Sequence, residues 1–320
     1  MLPLPTLAEI ESADALVRPV VPATPQITWP LLNARAGCEL WVKNENHTPL
    51  GAFKVRGGVV YFARLVQREL GVRGVISATR GNHGQSVAFA ARRHGLAAVI
   101  VVPHGNSTEK NAAMRALGAE LIEHGADFQA ALEHAQKLAV TRGLHLVPSF
   151  HGDLVSGVAS SALDFLRHAP PLDAVYVPIG LGSGICAMMA ARDALGLPMK
   201  IIGVASDAAP AVALSFAAKK LMTCATSTRI ADGLACSTPN AMALEHILRG
   251  VDRIVRVTDD ETEAALRAAF ADTHNVFEGA AAAGLAAVFR DHAVNAGRRI
   301  GLVLTGGNID SAVLARVLAA

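Results

Sequence analysis

Lys54 lies in the stretch GAFKVRGG, residues 51–58, between Phe53 and Val55 and just ahead of a glycine pair. Burial disfavours an ammonium, and an amine that has lost its proton is a nucleophile toward carbonyl carbon. The plainer alternative is a lysine that opens a helix and lays its stem over Phe53. Three other stretches combine turn glycines with polar side chains. In TRGNHGQ, residues 79–85, Thr79, Arg80, Gly81, Asn82 and His83 follow an apolar run and precede a helical pattern. Such a turn at a helix N-terminus offers unpaired N–H groups to an anion, although capping by Asn82 is an ordinary use of the same residues.

The third stretch is GLGSG, residues 180–184. Gly180, Gly182 and Gly184 alternate with Leu181 and Ser183 before another helical pattern. Backbone N–H groups there can converge on a phosphate. The pattern is not G-x-G-x-x-G, because Ile185 holds the place of the third glycine, and no GK[ST] follows. A single phosphate monoester fits it better than a dinucleotide. In LVLTGGNID, residues 302–310, a strand-like run delivers Thr305 to a Gly-Gly turn. Its hydroxyl can meet a ligand atom or cap the last helix. A carbonyl-reactive lysine with one phosphate cradle points to pyridoxal 5'-phosphate among cofactors.

These residues must be positioned by a chain of 320 residues, 52% of them hydrophobic, which suits two lobes with large cores. Lys and Arg total 29 against 27 acids. That balance, with no basic run interleaved with aromatics, gives no nucleic-acid signal. Cys38, Cys186, Cys224 and Cys236 lie far apart, which reads as free thiols in a reducing, cytoplasmic setting. The N-terminus carries acids where a signal peptide would carry bases, and the apolar runs are strand-length, so no membrane role is expected. Strand candidates at 39–45, 74–80, 97–103, 119–125, 145–150, 174–180, 200–206, 253–258 and 299–307 are near-continuous apolar runs. That is the pattern of parallel strands covered on both faces. Helices are expected at 111–118 and at 127–143, closed by Gly143, and a Thr258–Glu261 capping box precedes another. Residues 3–30 read as an irregular, proline-rich arm. The whole reads as an open, mostly parallel α/β architecture with helices on both faces, whose ligands collect beyond the carboxyl ends of the strands.

With these motifs in order, the chain from about residue 20 onward resembles the fold-type II pyridoxal-phosphate enzymes. Within them it is similar to the serine/threonine dehydratase group that includes serine racemase. GAFKVRG matches the group's G-S-F-K-x-R-G, TRGNHGQ its S-S-G-N-H-A-Q, and TGGN its terminal S-G-G-N. The resemblance implies a tryptophan synthase β-like fold. A large cofactor-binding lobe would comprise residues 1–72 and 148–320, and a small mobile lobe residues 73–147. Lys54 would carry the Schiff base, with Phe53 beside the cofactor and Asn82 on its phenolic oxygen. Gly180, Leu181, Gly182, Ser183 and Gly184 would hold its phosphate. Thr305 would face the pyridine nitrogen, and Glu278, in NVFEGAAAAG, would lie close to the ring. The turn from Thr79 and Arg80 through Gly81, Asn82 and His83 would take the substrate carboxylate.

The implied reaction is β-elimination from a β-hydroxy amino acid such as L-threonine or L-serine, giving a 2-keto acid and ammonia, in a homodimer. A threonine facing the ring nitrogen, unlike a carboxylate, does not hold it protonated, which favours rapid loss of a β-leaving group. The chain stops after the catalytic part, which suggests a degradative enzyme without a regulatory domain. Arg80 replaces the serine that serves serine racemase as second base. A guanidinium stays protonated, so racemisation is disfavoured. Arg80 would instead pair bidentately with a second substrate carboxylate, as in 3-hydroxyaspartate, or with a protein carboxylate or solvent. Ala205 and Ala211 stand where some relatives have cation-binding acids, and Asp207 has no obvious acidic partner, so no metal is expected there. Ala52 replaces a motif serine. Rival readings are an amino-acid racemase, a β-replacement synthase, and a non-catalytic cofactor-binding protein.

Overall fold

The computed structural model describes residues 3–320, and its strands form two separate sheets. The strands are β1 (Gln26–Ile27), β2 (Glu39–Asn44), β3 (Gly74–Ala78), β4 (Ala97–Val102), β5 (Glu120–Glu123), β6 (His145–Leu146), β7 (Ala174–Pro178), β8 (Lys200–Ser206), β9 (Arg253–Val257) and β10 (Arg299–Leu304). One sheet has the order β1-β2-β10-β7-β8-β9 and the other β5-β4-β3-β6. All pairings are parallel except β1 with β2. The chain is an α/β protein of two mostly parallel sheets flanked by helices.

The apolar runs form buried strands because each face of the sheet meets a helix layer. Along β7, Ala174 and Tyr176 pack into one core with the helix Gly279–Arg290. Val175 and Val177, pointing the other way, pack with helices Gly152–His168 and Ser183–Ala194. The smaller sheet divides likewise, with Val75 and Ile100 on one side and Ile76 and Val101 on the other. Alternating residues therefore serve opposite cores, which explains runs without polar alternation.

Two local expectations change. Residues 3–30 are not an irregular arm: Leu7–Val17 is a helix, started by a reciprocal Thr6–Glu9 capping box. Ile10, Ala13 and Val17, at i, i+3 and i+7, are its buried stripe. The helix expected at 111–118 begins earlier, at Thr108, where Ser107 accepts the Lys110 N–H. Helix Phe128–Arg142 ends on Gly143 at φ 62°, and the Thr258–Glu261 box is present.

The glycine pair after Lys54 has a packing role. A Cβ on Gly57 would lie 2.9 Å from Leu154 O, and one on Gly58 2.3 Å from Ser86 Oγ. Gly157 answers from the facing helix, where a Cβ would lie 2.3 Å from Arg56 O. Helix Lys54–Arg68 is thus wedged between helices Gly152–His168 and Asn82–Arg93 at backbone contact. Buried Arg56, on the same helix, donates to Glu45 at 2.6 and 3.1 Å.

Candidate active site

The three glycine turns all follow strand carboxyl ends: Thr79–Gly81 after β3, Gly180–Gly182 after β7 and Thr305–Gly307 after β10. They meet in one cleft. Every site residue named from sequence lines it: Phe53, Lys54, Thr79, Arg80, Gly81, Asn82, His83, Gly180, Leu181, Gly182, Ser183, Gly184, Glu278 and Thr305.

Lys54 is fixed by backbone pairing with the Thr305 turn. Phe53 N–H donates to Thr305 O at 3.0 Å, Ala52 bridges Gly306, and Gly307 N–H donates to Gly51 O at 2.9 Å. Lys54 is then the first residue of its helix, and its Nζ sits 5.0 Å from the Phe53 ring centroid. The helix-opening and reactive-lysine alternatives describe the same residue. Nζ also donates to Ser183 Oγ at 2.9 Å. Burial pulls the Lys54 pKa down to about 8, with Cys236 and Glu278 opposing the shift.

Gly182 takes φ 104° and caps helix Ser183–Ala194. A Cβ there would lie 2.5 Å from Ala243 Cβ, and one on Gly180 2.6 Å from Gly233 O. Gly180 and Gly182 are therefore glycines because no side chain fits this backbone at the helix N-terminus.

Opposite, Thr79 is committed to its own turn, since its Oγ1 accepts from Gly81 N–H at 3.0 Å and Gly84 N–H at 3.2 Å. Its oxygen thereby closes the turn. Asn82 Nδ2 donates to both Glu278 oxygens at 2.8 and 3.0 Å, and its Oδ1 accepts from Asn308 at 2.9 Å. Burial pushes the Glu278 pKa up to about 7, despite Lys110. Burial lowers His83 to about 3, helped by Lys54, so the imidazole is neutral.

Three buried polar atoms in this cleft have no hydrogen-bond partner: Thr305 Oγ1, His83 Nε2 and Arg80 Nε. Thr305 does not cap the last helix, whose N-cap is Asp310. Buried polar groups without partners are rare, and three in one cleft mark a site built for a ligand. No described carboxylate lies within ion-pair distance of half-buried Arg80, so the protein-carboxylate alternative is set aside. Asp207 pairs with Arg256 at 2.6 Å, and Ala205 and Ala211 are buried.

Sequence reasoning missed Lys110 and Asp232. Lys110, from helix Thr108–Ala116, reaches Asp232 at 2.6 Å and Glu278 at 3.8 Å. Burial opposes its charge, but the two carboxylates outweigh burial and its pKa is raised. Asp232 lies in IADGLA, residues 230–235, where nothing local marks it as a partner of Lys110.

A lysine of lowered pKa, a glycine turn on a helix N-terminus and an unpartnered hydroxyl line one cleft, which suits a phosphorylated aldehyde. The family model for "Pyridoxal-phosphate dependent enzyme" matches residues 17–306, and the chain belongs to that family. It is 31% identical to an L-threonine ammonia-lyase of Thermotoga maritima over 98% of this chain and 78% of the relative. It is 30% identical to an L-threo-3-hydroxyaspartate ammonia-lyase of Saccharomyces cerevisiae over 96% of this chain and 94% of that one. The structure of maize serine racemase superposes with a TM-score of 0.90 at 27% identity, over 98% of this chain and 97% of that one. The cofactor is pyridoxal phosphate, and the residues present fit it.

Proposed function

We propose that this enzyme removes the β-hydroxyl and amino groups of a β-hydroxy amino acid, releasing a 2-oxo acid and ammonia. The observation that carries the reading is the half-buried Lys54 amine, 2.9 Å from Ser183 Oγ in the cleft that also holds the glycine turn, with its pKa lowered to about 8. The ammonia-lyase relatives support the same chemistry.

When bound, pyridoxal phosphate supplies the electron sink that acidifies the substrate's α-proton. Gly180, Leu181, Gly182, Ser183 and Gly184 would hold its phosphate, Thr305 its ring nitrogen, and Asn82 its phenolic oxygen. Lys54 would take the α-proton at Nζ, since an amine with a pKa near 8 both accepts and returns a proton at neutral pH. The Asn82 and His83 N–H groups would orient the substrate carboxylate. Neutral His83 adds no charge that would compete for it. Glu278 and Asn308 brace the Asn82 amide for that contact.

Residues 73–147 would close over the substrate as the small lobe. The four-stranded sheet lies within these bounds, and Lys110 reaches from them to Asp232 on the far side of the cleft. No helix among the described residues is long and apolar enough to cross a membrane. Four free cysteines support a cytoplasmic setting, and the family resemblance supports a homodimer.

The test is 2-oxo acid release from L-threonine and L-serine, with chiral analysis of recovered substrate. Oxo acid without D-amino acid supports the lyase. Racemised substrate without oxo acid would instead make the enzyme an isomerase.

A further inference from the structure

Three cations line the cleft, and two are accounted for. Lys54 faces Ser183, and Lys110 is matched by Asp232 and Glu278. Arg80 is not. Its Nε is buried without an acceptor. Its charge opposes burial at the Cys236 thiol, whose pKa burial nonetheless pushes up to about 11. A guanidinium presents five donors in a fork, and leaving one buried and unmatched is unfavourable unless an acceptor arrives with a ligand.

The other anions in the proposed reaction have donors of their own. The cradle from Gly180 to Ser183 serves a phosphate at the start of helix Ser183–Ala194. The α-carboxylate has the N–H groups of Asn82 and His83, because Gly84 and Gln85 N–H are taken by Thr79 Oγ1 and Gly81 O. A third anion remains to be supplied.

We infer that Arg80 binds a carboxylate on the substrate's β-carbon, so that the substrate is a 3-hydroxy-2-amino diacid, 3-hydroxyaspartate being the smallest. The inference rests on the β-elimination reading and narrows it. Cα loses a proton, the Cβ–O bond breaks and the hydroxyl leaves as water. The resulting enamine tautomerises to an imine, and water hydrolyses its C=N bond to release ammonia and a 2-oxo diacid. No oxidant or reductant is needed. A bidentate pair from Arg80 would hold the distal carboxylate in one plane and select against a methyl or hydrogen in its place.

The experiment compares kcat/KM for L-threo-3-hydroxyaspartate and L-threonine in the wild-type holoenzyme, Arg80→Gln and Arg80→Lys. Calorimetric binding of L-aspartate and L-alanine, which lack a β-leaving group, accompanies it. The wild type should favour the diacid. Arg80→Gln should lower the diacid-to-threonine ratio by about 10- to 100-fold, the range of a charge-assisted hydrogen bond. Arg80→Lys should recover part of it, and L-aspartate should bind the wild type more tightly than L-alanine. Turnover of threonine but not of the diacid would overturn the inference and leave the lyase standing. Equal losses on both substrates with loss of cofactor absorbance would assign Arg80 to the phosphate and also overturn it. No oxo acid from threonine, serine or the diacid would overturn the lyase reading itself.

Discussion

Lys54 Nζ donates a 2.9 Å hydrogen bond to Ser183 Oγ, joining the first residue of one helix to the first residue of another. The bond ties the Lys54 amine to the start of the helix that follows the GLGSG turn. Lys54 is held on its other side by the strand-like pairing of Ala52 and Phe53 with the Thr305 turn. Parts of the chain some 250 residues apart in sequence converge because β2 and β10 are neighbours in the sheet.

The Lys54 pKa of about 8 sets a pH profile for cofactor capture. Only the neutral amine attacks the aldehyde. In cofactor-free protein the rate of capture should rise about tenfold per pH unit below 8 and level off above it. Stopped-flow absorbance checks this. A rate still climbing at pH 10 would mean an ordinary, solvated lysine.

Thr305→Val separates site from scaffold. Thr305 Oγ1 is buried and makes no hydrogen bond within the protein. Losing it should leave the thermal stability of cofactor-free protein unchanged or slightly raised. The dissociation constant for pyridoxal phosphate should rise roughly five- to tenfold, about 1 kcal/mol for one hydrogen bond. A large loss of stability would show that the hydroxyl serves the fold.

Arg56→Met should do the opposite. Arg56 and Glu45 are both almost wholly buried, and Arg56 is the charge that holds Glu45 ionised against burial. Removing one partner of such a pair costs about 3–5 kcal/mol. The sign with pH follows from Glu45, whose carboxyl pKa lies below its usual value in the fold. The stability from that shift is present above the unfolded-state pKa of about 4.5 and is lost as pH falls through the folded value. Denaturant titrations of wild type and variant should therefore differ most at neutral pH and converge in acid.

The strands and the cleft were legible because buried parallel strands and glycine turns leave local signatures. The reason for Gly57 and Gly58 was not. They admit the facing helices at Leu154 and Ser86. A long-range backbone contact has no local pattern. Lys110 stayed hidden for the same reason: its partners Asp232 and Glu278 are 122 and 168 residues away, and nothing beside it marks a site. The first helix was misread because Pro3, Pro5 and the prolines after it suggested irregularity, while Thr6 and Glu9 were already placed to start a helix between them.

Half-buried Lys54 and buried Lys110 share one cleft, and only one can be the cofactor's covalent partner. The direct measurement is borohydride reduction of the holoenzyme followed by peptide mapping by mass spectrometry. The account predicts a single pyridoxyl group, carried on Lys54, and none on Lys110. A pyridoxyl group on Lys110, or no covalent adduct at all, would contradict it.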